Sequence, residues 1–427
     1  MKKILDNKID FTKYKTLQLL SSILLILWII NPILTYFFKP ILGYSIYYYY
    51  SELIYLLGIF GIFIFIYLIT YKKIEIKNKT PYILISILVI IGIISTIFAN
   101  DFNLSLFGES YRREGLLVYI MYIGIIFLAT IIKDKKYINY IIKIMIFSSI
   151  ILSILPLFNS DFTYFNLKNI FHNSNHYGYY LLINMMLSSF MIIKEKKHKK
   201  IIYIIAYIFL TYMLVKNNTF GCFLSAIITF ICSLIIAIKN KYKVKYILLI
   251  ILIFILTATL TSHFDIRIGE RKNYENKSIV LKNLKVFYKD VNSSIKQDEN
   301  SNKAGSGRGY LWKLSIKYTL KHPLIGGGME CLKNYYKDYT EIDRPHNIIL
   351  QVSSFIGIPG AITYISLILY LAIVNLKKLK DDDLNIAIYF TAMAYFISSM
   401  FGNSMYYTSP YFMILLGFLI RMQEESR

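Results

Sequence analysis

A series of long apolar runs constrains the fold of this sequence more than any other feature. A hydrocarbon core of about 30 Å is crossed by roughly 20 helical residues. Hydrophobic residues make up 56% of the 427 positions and charged residues only 17%, which is too apolar for a soluble protein. The candidate spans lie near 17–38, 46–70, 82–99, 115–132, 138–158, 177–193, 201–216, 219–238, 246–262, 346–375, 385–401 and 407–420. They predict an all-α integral membrane protein with about twelve transmembrane helices.

Basic residues predict the orientation of the chain in the membrane. They collect in alternate loops, as in the KEKKHKK run from Lys194 and the KNKYKVK run from Lys239. Because Lys and Arg are enriched in cytoplasmic loops, we expect these loops and both termini in the cytoplasm. The net charge of +23 is therefore a topology signal, and no nucleic-acid partner is expected. The opposite loops carry only Lys39, Arg112, Arg113, Lys168 and Lys216.

One hydrophilic segment is much longer than the other loops. It covers 263–345, between an N-terminal bundle of about nine spans at 1–262 and a group of about three spans at 346–427. The charge pattern places this segment outside the cytoplasm. Its first half contains DVNSSIKQDENSNKAGSG, a composition typical of a flexible connection. We expect the functional part of the chain in this large extracytoplasmic loop.

The second half of the loop predicts an amphipathic helix. Leu311, Leu314 and Tyr318 recur at helical spacing after Ser306, a candidate N-cap. Pro323 and the three glycines that follow it end the pattern in a turn. We expect a surface helix that lies along the membrane. An ordinary helix covering the bundle is the alternative.

Three arginines on the outward side are candidates for binding an anion. Arg308 stands between two glycines in the motif SGRGYLW, so its guanidinium is little obstructed and can form a fork with a phosphate. The alternative is an arginine that only extends its charged group to the membrane–water interface and binds no ligand. Arg112 and Arg113 are adjacent at the mouth of a predicted span. Pairing of these two with Glu109 and Glu114 is the alternative there.

His346 is the candidate for proton transfer. It stands in the motif RPHNIILQ, where a predicted span begins. An imidazole with a reference pKa of about 6.5 can accept a proton from a hydroxyl at neutral pH. The charge of the nearby Arg344 favours the neutral ring, and Asn347 could orient the ring or a hydroxyl. A structural histidine is the alternative.

A second polar cluster precedes another predicted span. The motif HNSNHYGYY contains His172, Asn173, Asn175 and His176. Two histidines four residues apart could share a helix face and hold a metal, but a third ligand is missing. We therefore expect no metal here and interpret the asparagines as hydrogen-bonding helix caps.

These motifs resemble the O-antigen ligase and O-antigen polymerase family of integral membrane glycosyltransferases. The matching blocks are SGR…LW from Ser306, hydrophobic-Gly-x-Gly from Leu324, and H-N-x-x-L-Q…G-x-x-G from His346. FGESYRREG and the N-x-N-x-x-G stretch from Asn173 are similar to the family's N-terminal half. The resemblance implies a GT-C-like fold in the bacterial cytoplasmic membrane, with an extracytoplasmic active site and no cofactor.

The resemblance also implies an activity, the metal-independent transfer of glycan from a polyprenyl (undecaprenyl) diphosphate carrier. The acceptor would be a hydroxyl of a glycan, a lipid or a wall polymer. Arg308 with Arg112 or Arg113 would neutralise the diphosphate leaving group, with Arg344 as a further candidate ligand. His346 would orient or deprotonate the acceptor. The supporting residues would be Asn347, Asn173 and Asn175.

Two classes of function fit such a protein. The first is glycosyl transfer in cell-surface polysaccharide biosynthesis, by polymerising repeat units or by ligating a finished glycan. The second is transport of lipid-linked oligosaccharide by a flippase, which should line a central cavity with charged residues. Glu52 and Lys143 are the main ionisable residues in predicted spans, and both lie near span ends. The sequence therefore favours the enzyme.

Overall fold

A computed structural model describes residues 2–42, 46–71, 74, 76–110, 112–155, 171, 174–196, 198–263, 308–340, 342–380, 382–403 and 405–424. Within these residues the secondary structure is helical and contains no strand. The helices are α1 Lys2–Leu42, α2 Ile46–Thr70, α3 Thr80–Ile97, α4 Phe102–Phe107, α5 Leu116–Ile131, α6 Lys135–Ile154, α7 Ser174–Lys194, α8 His198–Asn217, α9 Phe220–Asn240, α10 Val244–His263, α11 Arg308–Lys321, α12 Cys331–Tyr336, α13 Ile348–Leu376, α14 Asp383–Ser399 and α15 Ser409–Glu424.

Every predicted apolar run coincides with one of these helices. Among the described residues, eight helices are long and apolar enough to cross a membrane, namely α1, α2, α3, α6, α8, α9, α10 and α13. Helix α5 is apolar but shorter. The prediction of an all-α, multi-pass membrane protein is confirmed, whereas the number of about twelve crossings remains a prediction.

Helix α5 is held by close glycine contacts with its neighbours. A Cβ atom at Gly61 of α2 would come within 1.9 Å of the carbonyl oxygen of Gly124 in α5, and one at Gly124 within 2.0 Å of the carbonyl oxygen of Gly58. Gly417 of α15 approaches the carbonyl oxygen of Ile126 in the same way, at 2.4 Å. Small residues let membrane helices approach backbone to backbone. The middle of α5 is therefore packed closely against α2 and α15.

Helix α13 is kinked where the predicted glycine turn packs against it. Gly357 has a φ of 76° within the helix. The carbonyl groups of Ser354 and Phe355, just before the kink, accept hydrogen bonds from the N–H groups of Gly327 and Gly328, each at 3.0 Å. Gly328 has a φ of 91°, a conformation that glycine adopts without the penalty a side chain imposes. The kink thus anchors the turn and the chain that follows it.

The predicted amphipathic helix is α11. Leu311, Leu314 and Tyr318 are buried, as their spacing predicted. The indole N–H of Trp312 donates a hydrogen bond to the carbonyl oxygen of Pro345 at 2.9 Å. This bond joins the first turns of α11 to the segment that precedes α13. Whether α11 lies along a membrane surface stays a prediction.

Some predictions fall outside the described residues. These are the flexible first half of the large loop at 264–303, the N-cap at Ser306, and the polar residues His172 and Asn173. The division of the chain into 1–262, 263–345 and 346–427 also remains a prediction.

Candidate active site

Segments that are distant in sequence meet at one end of α5 and α13, around a fully buried arginine. Arg344 has a side-chain exposure of 0%, and its Nη1 donates to Oε2 of Glu114 at 2.8 Å. Its Nη2 donates to Oε1 of Glu330, the residue that follows the glycine turn and Met329. Glu114 also accepts a hydrogen bond from the hydroxyl of Tyr122 at 2.5 Å. Arg344 thus ties the loop before α5 to the glycine turn.

The two glutamates keep Arg344 charged despite its burial. Burial alone would lower the pKa of Arg344, but Glu330 and Glu114 raise it well above its ordinary value. Burial also raises the pKa of Glu330, against the opposing effect of Arg344 and Arg112. A guanidinium that already has two carboxylate partners has few donors left for a phosphate. These contacts favour a structural role for Arg344 over the predicted contact with a diphosphate.

Arg112 belongs to the same group of charges, but one of its nitrogens has only a weak acceptor. Its Nε and Nη2 donate to the carboxylate of Asp343 at 2.5 and 2.7 Å, while Nη1 contacts the sulfur of Met405 at 3.0 Å. Since a thioether is a weak acceptor, this N–H can turn to a phosphate oxygen at little cost. We use the name buried ion cluster for the set Arg112, Glu114, Glu330, Asp343 and Arg344.

His346 is held beside this cluster by an asparagine. The backbone of His346 has a φ of 55°, and its N–H donates to Oδ1 of Asn403 at 3.1 Å. Because Oδ1 is occupied, the amide nitrogen of Asn403 faces the ring, 3.4 Å from Nε2. This arrangement makes Nε2 the acceptor and Nδ1 the nitrogen that carries hydrogen. Nδ1 is buried and has no hydrogen-bond partner among the described residues.

The environment of His346 keeps its imidazole neutral at physiological pH. Burial is the main reason why its pKa falls from 6.5 to about 4, and the charges of Arg308 and Arg112 lower it further. Asp343 opposes this effect, and Arg344 contributes in the predicted direction as the last of these causes. An anion that neutralised these guanidinium groups would raise the pKa again. The ring would thus become a stronger base when an anionic substrate binds.

Arg308 reaches the same space from the start of α11. Its charge contributes to the lowered pKa of His346. The hydrogen bond from Trp312, one turn further along α11, to the carbonyl oxygen of Pro345 places the start of this helix beside the segment that carries His346. Arg308 is half-buried, and no carboxylate in the described part of the chain pairs with it. A partly desolvated cation without a counter-ion favours binding of an anion.

Arg113 lies at the rim of the site. Its side chain is 37% exposed and pairs with Oε1 of Glu52 at 3.0 Å. The alternative interpretation of the sequence paired Arg112 and Arg113 with Glu109 and Glu114, but these glutamates have other partners. Glu109 pairs with Lys333 at 2.5 Å, and Glu114 belongs to the buried ion cluster.

The predicted supporting asparagines have different positions. Asn347 is the N-cap of α13, because its Oδ1 accepts hydrogen bonds from the N–H groups of Ile349 and Leu350 at 3.0 and 3.1 Å. It therefore fixes the start of the helix next to His346 instead of turning towards the ring. Asn175 is half-buried in the first turn of α7. Asn173 lies outside the described residues.

A comparison with known families matches the part of the chain that contains Arg308, Arg344 and His346. A family model described as O-Antigen ligase matches residues 205–365, a range that includes α11 and the start of α13. The resemblance to the O-antigen ligase family is confirmed. No curated protein matches the chain. The O-antigen ligase match contains Arg308, Arg344 and His346, whereas Arg112 precedes it and Asn403 follows it.

Sequence reasoning found the cations of this candidate site but missed their partners. Glu330 follows the glycine turn and Asp343 precedes Arg344, so both stand in motifs that were already prominent. Asn403 is 57 residues from His346. No local pattern around Asn403 signals its contact with the histidine.

Proposed function

We propose that the chain transfers a glycan from a polyprenyl diphosphate carrier to an acceptor hydroxyl at the outer face of the bacterial cytoplasmic membrane. The observation that carries the proposal is that Arg308, Arg112 and His346 lie on segments joined at one end of α5 and α13, through the hydrogen bonds of Trp312 with Pro345 and of Arg112 with Asp343. The O-antigen ligase match supports glycosyl transfer. The alternation of Lys-rich loops supports the outward position of the site. Such a reaction would serve the biosynthesis of a cell-surface polysaccharide.

The arginines would stabilise the leaving group. Negative charge grows on the diphosphate as its bond to the anomeric carbon breaks, and fixed guanidinium groups in a low-dielectric site stabilise that charge without rearranging. Arg308, which lacks an ion-pair partner among the described residues, would bind the diphosphate directly. Arg112 would turn its Nη1 from Met405 to a phosphate oxygen. In this proposal the guanidinium groups do the work that a metal does in other glycosyltransferases.

His346 would orient or deprotonate the acceptor hydroxyl. The acceptor oxygen forms its bond to the anomeric carbon as the bond from that carbon to the diphosphate breaks. The hydroxyl proton passes to Nδ1 of His346, or to water if His346 only orients the acceptor. In the tautomer that Asn403 favours, Nδ1–H of His346 donates to the acceptor or to a phosphate oxygen. Proton uptake at Nδ1 requires the other tautomer, with hydrogen on Nε2. Asn403 is therefore a positioning residue that decides which of the two roles is available.

The remaining residues would position the reacting groups and the carrier. Arg344 would hold Glu114 and Glu330 together, and so keep the loop before α5 against the glycine turn. Arg113 at the rim would add positive charge where the diphosphate enters. The apolar helices would hold the polyprenyl tail within the membrane.

Transfer by the purified protein tests this proposal. The full chain is reconstituted in lipid vesicles with polyprenyl diphosphate-linked glycan isolated from the host. Arg308→Ala and His346→Ala should insert normally and lose transfer by a factor of about 10²–10³, the usual cost of removing one such interaction. Lys317→Ala, at an exposed position of α11, is the matched control. Full activity of Arg308→Ala would contradict the proposed binding of the leaving group.

The lipid-linked glycan in a deletion strain distinguishes the reaction types. Accumulated single repeat units would indicate a polymerase, and accumulated long chains a ligase. Intermediates confined to the inner leaflet would indicate the alternative, a flippase. The ion pairs of Lys143 with Glu195 at 3.3 Å and of Arg113 with Glu52 at 3.0 Å favour the enzyme, because each pairs the ionisable residue of a predicted span with a residue outside that span.

A further inference from the structure

A cavity lies at the end of α11 that is remote from Arg308. It has a volume of about 340 Å³, near the lower limit of the roughly 300–1,000 Å³ of small-molecule sites. Its walls come from the residues after α3, the last turns of α11, the glycine turn and the segment around α12. The lining residues that matter below are Asn100, Tyr318, Lys321, Asn334, Tyr335 and Asp338.

We propose that this cavity binds a sugar ring of the glycan at a distance from the bond that is transferred. The inference rests on the proposed function, because it assigns a second subsite to the same oligosaccharide substrate. It follows from the chemistry of the lining residues and from the position of the cavity relative to Arg308.

The polar side chains of the cavity are available for a ligand. Asn100, Asn334 and Asp338 are exposed, and none of them has a hydrogen-bond or ion-pair partner among the described residues. An amide offers both donors and an acceptor, and a carboxylate accepts two hydrogen bonds side by side. Neighbouring hydroxyl groups on a sugar ring present the complementary donors and acceptors. A lipid tail would leave these three side chains without partners.

Aromatic rings form the other part of the wall. The ring centroids of Tyr318 and Tyr335 are 4.8 Å apart with an interplanar angle of 51°, and the ammonium of Lys321 lies 5.8 Å from the centroid of Tyr335. An aromatic face packs against the apolar C–H face of a sugar while hydroxyls at the ring edge reach polar groups. Gly327 leaves room for Tyr318, since a Cβ atom there would lie 1.9 Å from its hydroxyl. This wall is therefore fixed before a ligand arrives.

Helix α11 connects the cavity to the proposed reaction centre. Arg308 is the first residue of α11 and Lys321 the last, so at about 1.5 Å per residue the two lie roughly 20 Å apart. Met329 and Cys331, which also line the cavity, flank Glu330 of the buried ion cluster. A glycan of several sugar units can reach both places, whereas a single sugar cannot. The cavity should therefore select for glycan length.

Binding is measured separately from transfer. The probes are carrier-free oligosaccharides of increasing length, released by mild acid from the surface polysaccharide of the host, and the protein is the full chain in nanodiscs. Tyr335→Ala and Asp338→Ala should weaken binding of the longer oligosaccharides about tenfold, the effect of losing one good contact. Lys337→Ala is the matched control, because this exposed neighbour does not line the cavity. It should bind like the wild type.

The transfer assay then separates this inference from the proposed function. Tyr335→Ala and Asp338→Ala should raise KM for a long glycan and leave kcat unchanged. Equal binding of long oligosaccharides by the wild type and both variants would overturn the inference, and transfer by the wild type would still support the proposed function. Binding that depends on Tyr335 and Asp338 in a protein that transfers no glycan would support the cavity and contradict the proposed function.

Discussion

The two ends of α5 and α13 carry ion pairs of different kinds. At one end, the buried ion cluster contains Arg344 with a side-chain exposure of 0% and partners that are 2% and 0% exposed. At the other end, the ion pairs join neighbouring helices and loops and are only partly buried, with side-chain exposures between 13% and 55%. We call these the loop-side pairs: Lys135 with Asp382, Lys143 with Glu195, and Lys243 with Asp383.

This difference shows that burial decides which charges matter for the structure. Solvent-exposed ion pairs contribute about 0–1 kcal/mol each, because water and salt screen them. Breaking a buried pair costs about 3–5 kcal/mol, because an unpaired charge is left behind. The many lysines of the loop side are informative about topology as a group, whereas the few charges of the buried ion cluster matter one by one.

The largest expected effect is that of removing the central cation. Arg344→Ala would leave Glu114 and Glu330 buried without a positive partner, so the free energy of unfolding should fall by about 3–5 kcal/mol. Thermal unfolding of the purified protein in detergent measures the change. Lys135→Ala breaks a loop-side pair and is the control. Equal shifts of the melting temperature in both variants would mean that the two ends do not differ as proposed.

Variants of Asn403 test the proposed role of His346. Asn403→Leu removes both contacts with His346, and the loss of one or two hydrogen bonds of about 0.5–1.5 kcal/mol each should lower the transfer rate about tenfold or more. Asn403→Asp places an acceptor opposite Nε2 and so favours the tautomer in which Nδ1 can take up a proton.

The two Asn403 variants distinguish the two roles of His346. If the histidine deprotonates the acceptor, Asn403→Asp should retain more transfer activity than Asn403→Leu. If it orients the acceptor through Nδ1–H, both variants should lose activity. Wild-type rates in both would contradict a positioning role for Asn403.

The pH dependence of His346 provides the next test. Because its pKa is lowered from 6.5 to about 4 by burial and by Arg308 and Arg112, the rate at which diethylpyrocarbonate modifies His346 should fall as the pH is lowered through about 4. Peptide mass spectrometry follows the modification. Arg308→Gln removes one of the lowering charges, so the midpoint should move upward. A midpoint near the ordinary value of about 6.5 in both proteins would contradict the lowering of this pKa by burial and by the two arginines.

The same pKa difference affects stability in a defined pH window. The unfolded chain takes up a proton at His346 near pH 6.5, whereas the folded chain does so only near the lowered pKa of about 4. The contribution of this residue to stability should therefore fall as the pH is lowered from 6.5 to about 4 and change little below that.

The smallest effect is expected on the loop side. Asp382→Ala removes the partner of Lys135, which is 55% exposed, and also the N-cap of α14. Lys135→Ala breaks the ion pair and leaves the cap of α14 in place, so its unfolding free energy should change by about 0–1 kcal/mol. Asp382→Ala should cost about 1 kcal/mol more through the lost cap. Melting temperatures of the two variants compare the contribution of the ion pair with that of the helix cap. A loss of several kcal/mol in Lys135→Ala would contradict the proposed difference between the loop-side pairs and the buried ion cluster.

Local patterns predicted the helices well because their causes are local. The apolar runs coincide with helices, Leu311, Leu314 and Tyr318 form the buried face of α11, and the three glycines form a turn. The candidate site was predicted only in part. Arg308, Arg112 and His346 lie on segments that are hydrogen-bonded to one another. The spacing of Arg344 and Asn347 did not indicate that the first is enclosed by glutamates or that the second caps α13.

The sequence alone determined that this chain is a helical membrane protein, where its helices run and which family it resembles, because hydrophobic periodicity, loop charge and short motifs are properties of neighbouring residues. Only the tertiary structure decided which charges are neutralised. Arg344 meets a glutamate 230 residues away, His346 meets Asn403 across 57 residues, and Arg308 meets no carboxylate within the described part of the chain. Charge pairing depends on distance in space and on the exclusion of water. Both arise only when the helices pack.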